Sequence, residues 1–326
     1  MADHTQLRNV FEAGSSLLTD QLEANLVGFF QWGSLGVGAF NNVRIGTTAA
    51  YGGSPARLRC SENPNFLAGQ LWEASRRDWV WESGVEYASQ PISISGVYVN
   101  GGFHSSSETG VYKHKIDYVN GGVVFDNPIP ASSQVTCEYS HRTWHWTTAD
   151  CPWWREYQAN SYRVDDPQFL QSGSGAWSTL SQSRVQMPVV IVEAVPNTHR
   201  YPFEIGNSTA VVSQDVLFHI VSETRWDVKT LHDVITYQWQ HRINGFDKNA
   251  VGAANAWPLT ADHALASEAK MYPDLIKPSD EDGFLWKQIR FANMRSSKIY
   301  GMSNELFQDD SPLYTASVLG TFEVDI

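Results

Sequence analysis

The sequence predicts an α+β fold that contains an inserted all-β region. Three observations predict it: an apolar stripe at helical spacing near the start, short β-rich runs between turn residues from about 51 to 185, and apolar runs followed by an amphipathic helix after 186. We therefore expect a discontinuous α+β domain, residues 1–50 and 186–326, with a β-sandwich-like domain inserted at 51–185.

The N-terminal segment, residues 5–31, is predicted to form a helix. Asp3 or Thr5 could cap its start, and the glycine-rich stretch 33–38 is expected to end it. Residues 38–46 then indicate a short strand. The apolar side chains of the predicted helix recur at spacings of three and four residues: Leu7, Val10, Phe11, Leu18, Leu22, Leu26, Phe29 and Phe30.

The central region, residues 51–185, has the pattern of an all-β fold. Pro, Gly, Ser and Asn separate short runs that are rich in Val, Ile, Tyr and Trp. Asn120-Gly121 lies between two such runs, which predicts a β-hairpin with a type I′ turn. Residues 134–147 are predicted to form the third strand of the resulting meander. Residues 168–183 are small and polar, which indicates a loop or linker.

The pattern changes again from residue 186. MPVVIVEAV is an apolar run without alternation, as expected of a strand that is buried on both faces. AVVSQDVLFHIVSE predicts a longer strand. FLWKQIRFANM, SKIYGMSNELF and LYTASVLGTFEVDI indicate further strands towards the C-terminus.

A second helix is predicted over residues 225–243. Thr224 and Asp227 resemble a capping box at its start. We expect its apolar side to cover one face of the neighbouring strands, which are too apolar to form an exposed sheet. The residues of this predicted buried stripe are Val228, Leu231, Ile235 and Trp239.

Composition excludes several classes of protein. The chain has 326 residues, of which 42% are hydrophobic, so it is able to bury a core. A net charge of −12 argues against a nucleic-acid-binding surface. The first residues contain no apolar signal-peptide core, and no segment has the roughly 20 apolar residues of a membrane helix. Three cysteines are too few for a disulfide framework, which suggests reduced thiols in a cytosolic setting.

The stretch CEYSHRTWHWTTADC, residues 137–151, contains four potential zinc ligands: Cys137, His141, His145 and Cys151. On a strand, residues four apart lie about 13 Å from each other. Zinc ligands must all come within about 2 Å of one ion. Because Thr and aromatic residues dominate the stretch, we predict a strand and no metal site.

Four neighbouring tryptophans raise the alternative of a platform for sugar rings: Trp144, Trp146, Trp153 and Trp154. Aromatic faces stack on sugars, but they equally fill protein cores and interfaces. We expect these side chains to belong to a core or to an interface.

No catalytic constellation is predicted. The sequence lacks G-x-S-x-G, H-E-x-x-H, G-x-G-x-x-G and P-loop motifs. The acidic runs 165–166, 280–282 and 309–310 lie beside turn residues and are expected to be solvated, while His219 and His232 are expected to be structural. We therefore predict a protein that is not an enzyme, with no catalytic, cofactor-binding or metal-binding residue and no cofactor.

The order of elements in the two outer parts of the chain is more informative than any motif. HTQLRNVFEAGSSLL begins a helix, MPVVIVEAV and AVVSQDVLFHIVSE follow as strands, then come the helix RWDVKTLHDVITYQWQHRI and the strand LYTASVLGTFEVDI. This order resembles the tail terminator and tail-completion proteins of long-tailed bacteriophages, over residues 1–46 and 186–326. The resemblance implies a tail-terminator-like core, with an N-terminal helix, a mixed sheet and one packed helix, that forms a hexameric ring.

The resemblance also implies partners and a location. The protein would be a virion structural protein of the neck that caps the tail tube and joins it to the head connector. Its partners would be other copies of itself, the tail tube or sheath protein, head-side connector proteins, and genomic DNA that passes the lumen without specific binding, since an acidic wall repels phosphates. Assembly would take place in the bacterial cytoplasm. A receptor- or carbohydrate-binding β-rich virion protein, and a hydrolase with an unrecognised site, remain as alternatives.

Overall fold

The computed structural model describes residues 18–48, 53–151, 154, 186–202, 210–296, 300–301 and 314–325. Within these ranges the chain forms four helices and sixteen strands, and the strands are arranged in four sheets. The predicted α+β class is confirmed at the level of a mixed α and β structure with few helices. No helix in these ranges is long and apolar enough to cross a bilayer.

The elements are named in chain order. The helices are α1 (Leu18–Gly36), α2 (Arg225–Thr236), α3 (Lys248–Ala253) and α4 (Tyr272–Leu275). The strands are β1 (Phe40–Val43), β2 (Arg59–Cys60), β3 (Leu71–Glu73), β4 (Gly96–Val99), β5 (Gly102–Ser105), β6 (His114–Asp117), β7 (Gly122–Phe125), β8 (Val135–Thr136), β9 (Tyr139–Arg142), β10 (His145–Thr148), β11 (Val189–Pro202), β12 (Ala210–Ser222), β13 (Arg242–Phe246), β14 (Leu285–Ser296), β15 (Tyr300–Gly301) and β16 (Tyr314–Asp325).

The largest sheet has seven strands in the order β10-β11-β12-β16-β14-β13, with β15 beside β16. It is mixed, because β10 runs parallel to β11 while the other pairs are antiparallel. The apolar run 189–192 of β11 is fully buried. Val190 and Val192 face the main core, and Val189 and Ile191 join a smaller cluster on the other side, so the prediction of a strand buried on both faces is confirmed.

Helix α1 packs against the main sheet. Its residues Leu22, Leu26 and Phe30 are buried in the main core. The helix contacts β10 and β11 at one edge of the sheet and β13 at the other. Its 19 residues extend over about 28 Å, and six strands at about 4.8 Å spacing span about 24 Å. The helix is therefore long enough to contact both edges of the sheet.

A polar side chain fixes α1 against the sheet edge. The amide of Asn25 donates to the carbonyl of Phe246 at 2.9 Å, and its oxygen accepts from the Phe246 backbone N–H at 2.7 Å. The described helix ends at Gly36, five residues later than the predicted end at 31. The predicted start, within residues 1–17, lies outside the described residues.

Helix α2 begins as predicted but ends earlier. Thr224 is the N-cap, and its hydroxyl accepts from the backbone N–H of Asp227 at 3.1 Å. The helix ends at Thr236, and after Gln240, whose φ is 64°, the chain enters β13. The prediction that Trp239 is buried is therefore wrong, since its side chain is 58% exposed. The other three predicted core residues of this helix are buried: Val228, Leu231 and Ile235.

The central region contains two small sheets, β2-β3-β7-β6 and β5-β4-β8, that share one apolar core. The predicted hairpin is confirmed, because β6 pairs antiparallel with β7 and Asp117 lies opposite Gly122. The predicted type I′ turn is wrong, because four residues separate the strands. The carboxylate of Asp117 accepts from the backbone N–H of Asn120 at 2.9 Å and holds this longer loop, in which Gly121 has a φ of 68°.

The predicted third strand, residues 134–147, is three short strands in three different sheets. Strand β8 pairs with β4, β9 pairs with β1, and β10 joins the main sheet beside β11. Two of these pairings cross the predicted domain boundaries near residues 50 and 185. The division into 1–50 with 186–326 and an inserted 51–185 stays a prediction.

The C-terminal strands FLWKQIRFANM and LYTASVLGTFEVDI appear as β14 and β16. Buried and half-buried residues alternate along β16, as expected where alternate side chains point to the core. Of SKIYGMSNELF, only Tyr300–Gly301 lies within the described residues and forms β15. The predicted loop 168–183 lies outside them.

Replacement of Leu231 by alanine should destabilise the protein by about 2–5 kcal/mol, because the side chain is fully buried between α2 and the sheet. Urea unfolding followed by far-UV circular dichroism measures this change. Trp239→Ala is the matched control and should change the free energy of unfolding by less than about 0.5 kcal/mol. An equal loss in both variants would contradict the packing of α2 described here.

Candidate functional site

A buried ionic cluster lies where the central region meets the main sheet. Arg142, at the end of β9, is only 2% exposed. Its Nε donates to Asp78 Oδ1 at 3.0 Å, and its Nη2 donates to the two carboxylate oxygens of Glu82 at 2.7 and 2.6 Å. Nδ1 of His145, at the start of β10, shares a hydrogen bond of 2.6 Å with Asp78 Oδ2. One cation therefore joins two carboxylates from the segment between β3 and β4.

The two carboxyl groups respond differently to this environment. Burial acts to raise the pKa of Asp78, but Arg142 and His145 outweigh it, so the pKa lies below its ordinary value. Burial raises the pKa of Glu82, and Arg142 offsets only part of this rise. Burial alone would lower the pKa of Arg142, but the two carboxylates raise it instead. The guanidinium therefore keeps its charge inside the protein.

The cluster has the geometry of a structural ion bridge. An Asp–His pair acts in nucleophilic catalysis only when the histidine also contacts a nucleophile. His145 forms no hydrogen bond to a serine, threonine or cysteine side chain in the described part of the chain. The Nη1 atom of Arg142 is buried without a hydrogen-bond partner among those residues. The guanidinium carbon lies 6.0 Å from the ring centre of Trp81, within the range of a cation–π contact.

The potential zinc ligands of the segment 137–151 have separate surroundings. Cys137 is buried in the central core, where burial raises the pKa of its thiol. His141 Nδ1 lies 3.1 Å from the carbonyl oxygen of Arg142, whereas His145 contacts Asp78. No group of three or more His, Cys, Asp or Glu side chains in the described ranges is arranged to hold a metal ion. All three cysteines of the chain are free thiols.

The tryptophans considered as a possible sugar platform, where described, pack in apolar cores. Trp146 stacks on Phe30 with ring centres 4.4 Å apart, and its indole N–H donates to Ser34 Oγ at 2.9 Å. Trp154 is buried in the small second cluster, and Trp144 packs against the main core. Trp153 lies outside the described residues. The prediction of a core role is confirmed for the three that are described.

Other titratable residues considered from the sequence lie beside polar partners. His219 Nε2 lies 2.8 Å from Glu193 Oε2, and His232 lies 3.3 Å from Asp233. In the acidic run 280–282, Asp280 accepts from the backbone N–H of Leu285 and Asp282 pairs with Lys270. The runs 165–166 and 309–310 lie outside the described residues.

An aromatic cavity of about 330 Å³ opens beside the ionic cluster. Its wall comes from three separate parts of the chain: α1, the segment that carries the cluster carboxylates together with β10, and the region from β13 to α4. The side chains that give it its chemical character are Gln31, Trp32, Trp81, Glu82, Thr148 and Trp257. Sequence reasoning missed this site, because no short segment contains more than two of these residues and no motif joins them.

One glycine shapes the floor of the cavity. A Cβ atom on Gly28 of α1 would come within 3.0 Å of the ring of Tyr272. The absence of a side chain at this position lets α4 approach α1 closely and brings the region from β13 to α4 into the wall. Helical periodicity does not predict this contact, because a glycine within a helix only lowers the helix propensity.

No protein-family model matches the chain, and no curated protein sequence matches it significantly.

Removal of one carboxylate of the ionic cluster should lower the free energy of unfolding. Glu82→Ala leaves the buried charge of Arg142 only partly compensated, and we expect a loss of about 3–5 kcal/mol in the free energy of unfolding. The double variant Glu82→Met with Arg142→Leu should recover part of this loss, because it removes both charges. Asp262→Ala breaks an exposed ion pair with Lys115 and serves as the control, with no measurable change expected. Urea titrations that show equal effects of the two alanine variants would contradict a structural role for the cluster.

His141 should make the protein less stable in acid. Burial, with a smaller contribution from nearby Arg76, lowers the pKa of His141 from 6.5 to about 4. The unfolded chain therefore binds a proton that the folded chain lacks between these values, and stability falls as pH decreases from about 6.5 to about 4, by on the order of 3 kcal/mol. His141→Gln should flatten this slope in guanidinium titrations across the interval. His199→Gln, at an exposed position, is the control and should keep the wild-type slope; equal slopes in both variants would refute the assignment.

Proposed function

We propose that this chain is a virion structural protein of a tailed phage, a neck or tail-terminator subunit that caps the tail tube and joins it to the head connector. One observation carries the proposal. Helices α1 and α2 share a single core on the same face of the sheet that β11, β12, β14 and β16 form. This arrangement agrees with the element order by which the sequence resembles tail terminators, and the mixed sheet agrees with the core which that resemblance implies.

The outer face of α2 supports a role in assembly. Trp226 is 77% exposed, Tyr237 is 90% exposed and Trp239, just beyond the helix, is 58% exposed. Trp226 and Tyr237 are eleven residues apart, which is roughly three helical turns, so both lie on the side opposite Leu231. Tyr and Trp are enriched in protein interfaces. We assign this α2 outer face to contacts within the ring or with the next neck protein.

The overall charge supports the proposed channel for DNA. A ring that DNA passes through must not bind phosphates, and Asp and Glu outnumber Lys and Arg by 35 to 23 in this chain. The proposed partners are therefore further copies of the chain in a hexamer, the tail tube or sheath protein, and head-side connector proteins. The proposed role is structural and not enzymatic, with assembly in the host cytoplasm and a final location in the virion.

A receptor- or carbohydrate-binding role, the alternative from the sequence, loses its original support. The described tryptophans that suggested it, Trp144, Trp146 and Trp154, pack in apolar cores. Three other tryptophans line the aromatic cavity, which is a different candidate site for sugar recognition.

A reconstruction of intact particles tests the proposal directly. We expect the chain on the head–tail axis with six-fold or twelve-fold symmetry, next to the end of the tail tube. Its position away from that axis, or another symmetry, would rule out the neck role.

The α2 outer face can be tested separately in assembling particles. The double variant Trp226→Ala, Tyr237→Ala should fold normally but should be depleted from purified particles, because it removes aromatic contact area without touching the core. Phe103→Ala removes a half-exposed aromatic side chain of the central region and should be incorporated like the wild type. Equal incorporation of both variants would exclude this face from the contacts.

A further inference from the structure

We propose that the aromatic cavity between α1, the Trp81-Glu82 segment and the region from β13 to α4 is a binding site for a neutral saccharide. This inference goes beyond the neck role and does not rest on it. It depends on four properties of the cavity: the accessible ring surfaces, the free hydrogen-bonding groups, the neutral wall and the size.

The first property is accessible aromatic surface. Trp32, Trp81 and Trp257 are half-buried: each packs partly against an apolar cluster and also lines the cavity. A sugar ring presents its C–H groups on one face, and this face packs on an indole ring. A ligand held between such surfaces buries much of its area without a charge of its own.

The second property is free hydrogen-bonding capacity. Three buried tryptophans donate their indole N–H groups to protein acceptors at 2.9 Å: Trp72 to Gly69, Trp79 to Arg76 and Trp146 to Ser34. The indole N–H groups of the three cavity tryptophans donate to no described residue. These three side chains are half-buried, and their Nε1 atoms are not among the buried atoms without a partner. Their N–H groups therefore keep the capacity to donate to water or to a ligand.

Two polar side chains add to these donors. Gln31 donates its amide N–H to the carbonyl of Trp146 at 3.2 Å, which leaves its side-chain oxygen as an acceptor. The hydroxyl of Thr148 makes no side-chain hydrogen bond within the described ranges. Donors, acceptors and ring faces thus line the same cavity. This mixture suits a polyhydroxylated ring better than a hydrocarbon, which would leave the polar groups unpaired.

The third property is charge. Glu82 is the charged side chain among the lining residues, and both of its oxygens already accept from Arg142. An aromatic cavity with an uncompensated carboxylate would select a cation. Because Arg142 neutralises Glu82, the wall favours an uncharged ligand.

The fourth property is size. A volume of about 330 Å³ lies at the lower end of the range for small-molecule sites. It accommodates a ligand of on the order of one or two sugar rings. The ionic cluster holds Trp81 and Glu82 in place before any ligand arrives, so binding orders few side chains.

The experiment is a titration of the full chain with glucose, galactose, mannose, N-acetylglucosamine, maltose, lactose and diacetylchitobiose. Saturation-transfer NMR detects binding, and quenching of tryptophan fluorescence gives the affinity. We expect at least one of these sugars to bind with a dissociation constant in the range of about 0.1–10 mM. Trp32→Ala and Trp257→Ala should each weaken binding by about tenfold or more, which corresponds to about 1.4 kcal/mol.

Phe103→Ala is the control, since it removes a half-exposed aromatic side chain that does not line the cavity, and it should leave the affinity unchanged. Circular dichroism and thermal melts establish that each variant is folded. Should Trp32→Ala fail to fold, Trp257→Phe and Thr148→Val test the same wall with smaller changes, and each should weaken binding at least about threefold.

Several results would overturn the proposal. One is the absence of binding by every sugar up to about 50 mM, a concentration well above millimolar dissociation constants. A second is binding that the Trp32 and Trp257 variants leave intact. A third is binding of indole or tetramethylammonium in this cavity without competition by any sugar, which would identify an aromatic or cationic ligand instead. None of these outcomes bears on the neck proposal, which the particle reconstruction decides independently.

Discussion

The burial of the Arg142 guanidinium group constrains how the central region packs against the main sheet. Arg142 is almost completely enclosed, and a buried charge is tolerated only when counter-charges and hydrogen bonds surround it. Asp78 and Glu82 supply them from a segment about sixty residues away, and His145 binds the remaining oxygen of Asp78. The backbone of Arg142 pairs with β1. The chain on both sides of the cluster is therefore held in one arrangement.

Strand β10 connects the main sheet to the ionic cluster. This strand begins at the cluster with His145 and runs parallel to β11. Its Trp146 stacks on Phe30 of α1 and donates to Ser34. Because α1 packs on β10 and β11, a shift at the cluster would also move the helix and its aromatic core. The same cluster positions Trp81 and Glu82 beside α1, and the cavity exists because this contact and the packing of Tyr272 on Gly28 leave a gap between them.

The two proposed functions use surfaces with different structural origins. The α2 outer face is a local product of one helix, whose buried side is occupied by the main core while its other side carries Trp226 and Tyr237. The cavity is a product of long-range packing among three parts of the chain. Trp226 and Tyr237 do not line the cavity, so the proposed ring contacts and the proposed ligand site involve separate parts of the chain.

Local periodicity in the amino-acid sequence was enough to predict several features. The buried run of β11, the hairpin around Asn120 and Gly121, and the core stripe of α2 at Leu231 and Ile235 all follow from spacings within about ten residues. The features that depend on contacts between distant segments required the tertiary structure. Trp239 continues the helical spacing, yet it is exposed because pairing of β13 with β14 draws the chain out of the helix before it. The segment 134–147 has the composition of one strand, yet three sheets divide it. Periodicity shows which side of an element is buried, but it does not identify the residues that cover that side. The partners of Arg142 and the walls of the cavity come from distant segments, so only the packed structure identifies them.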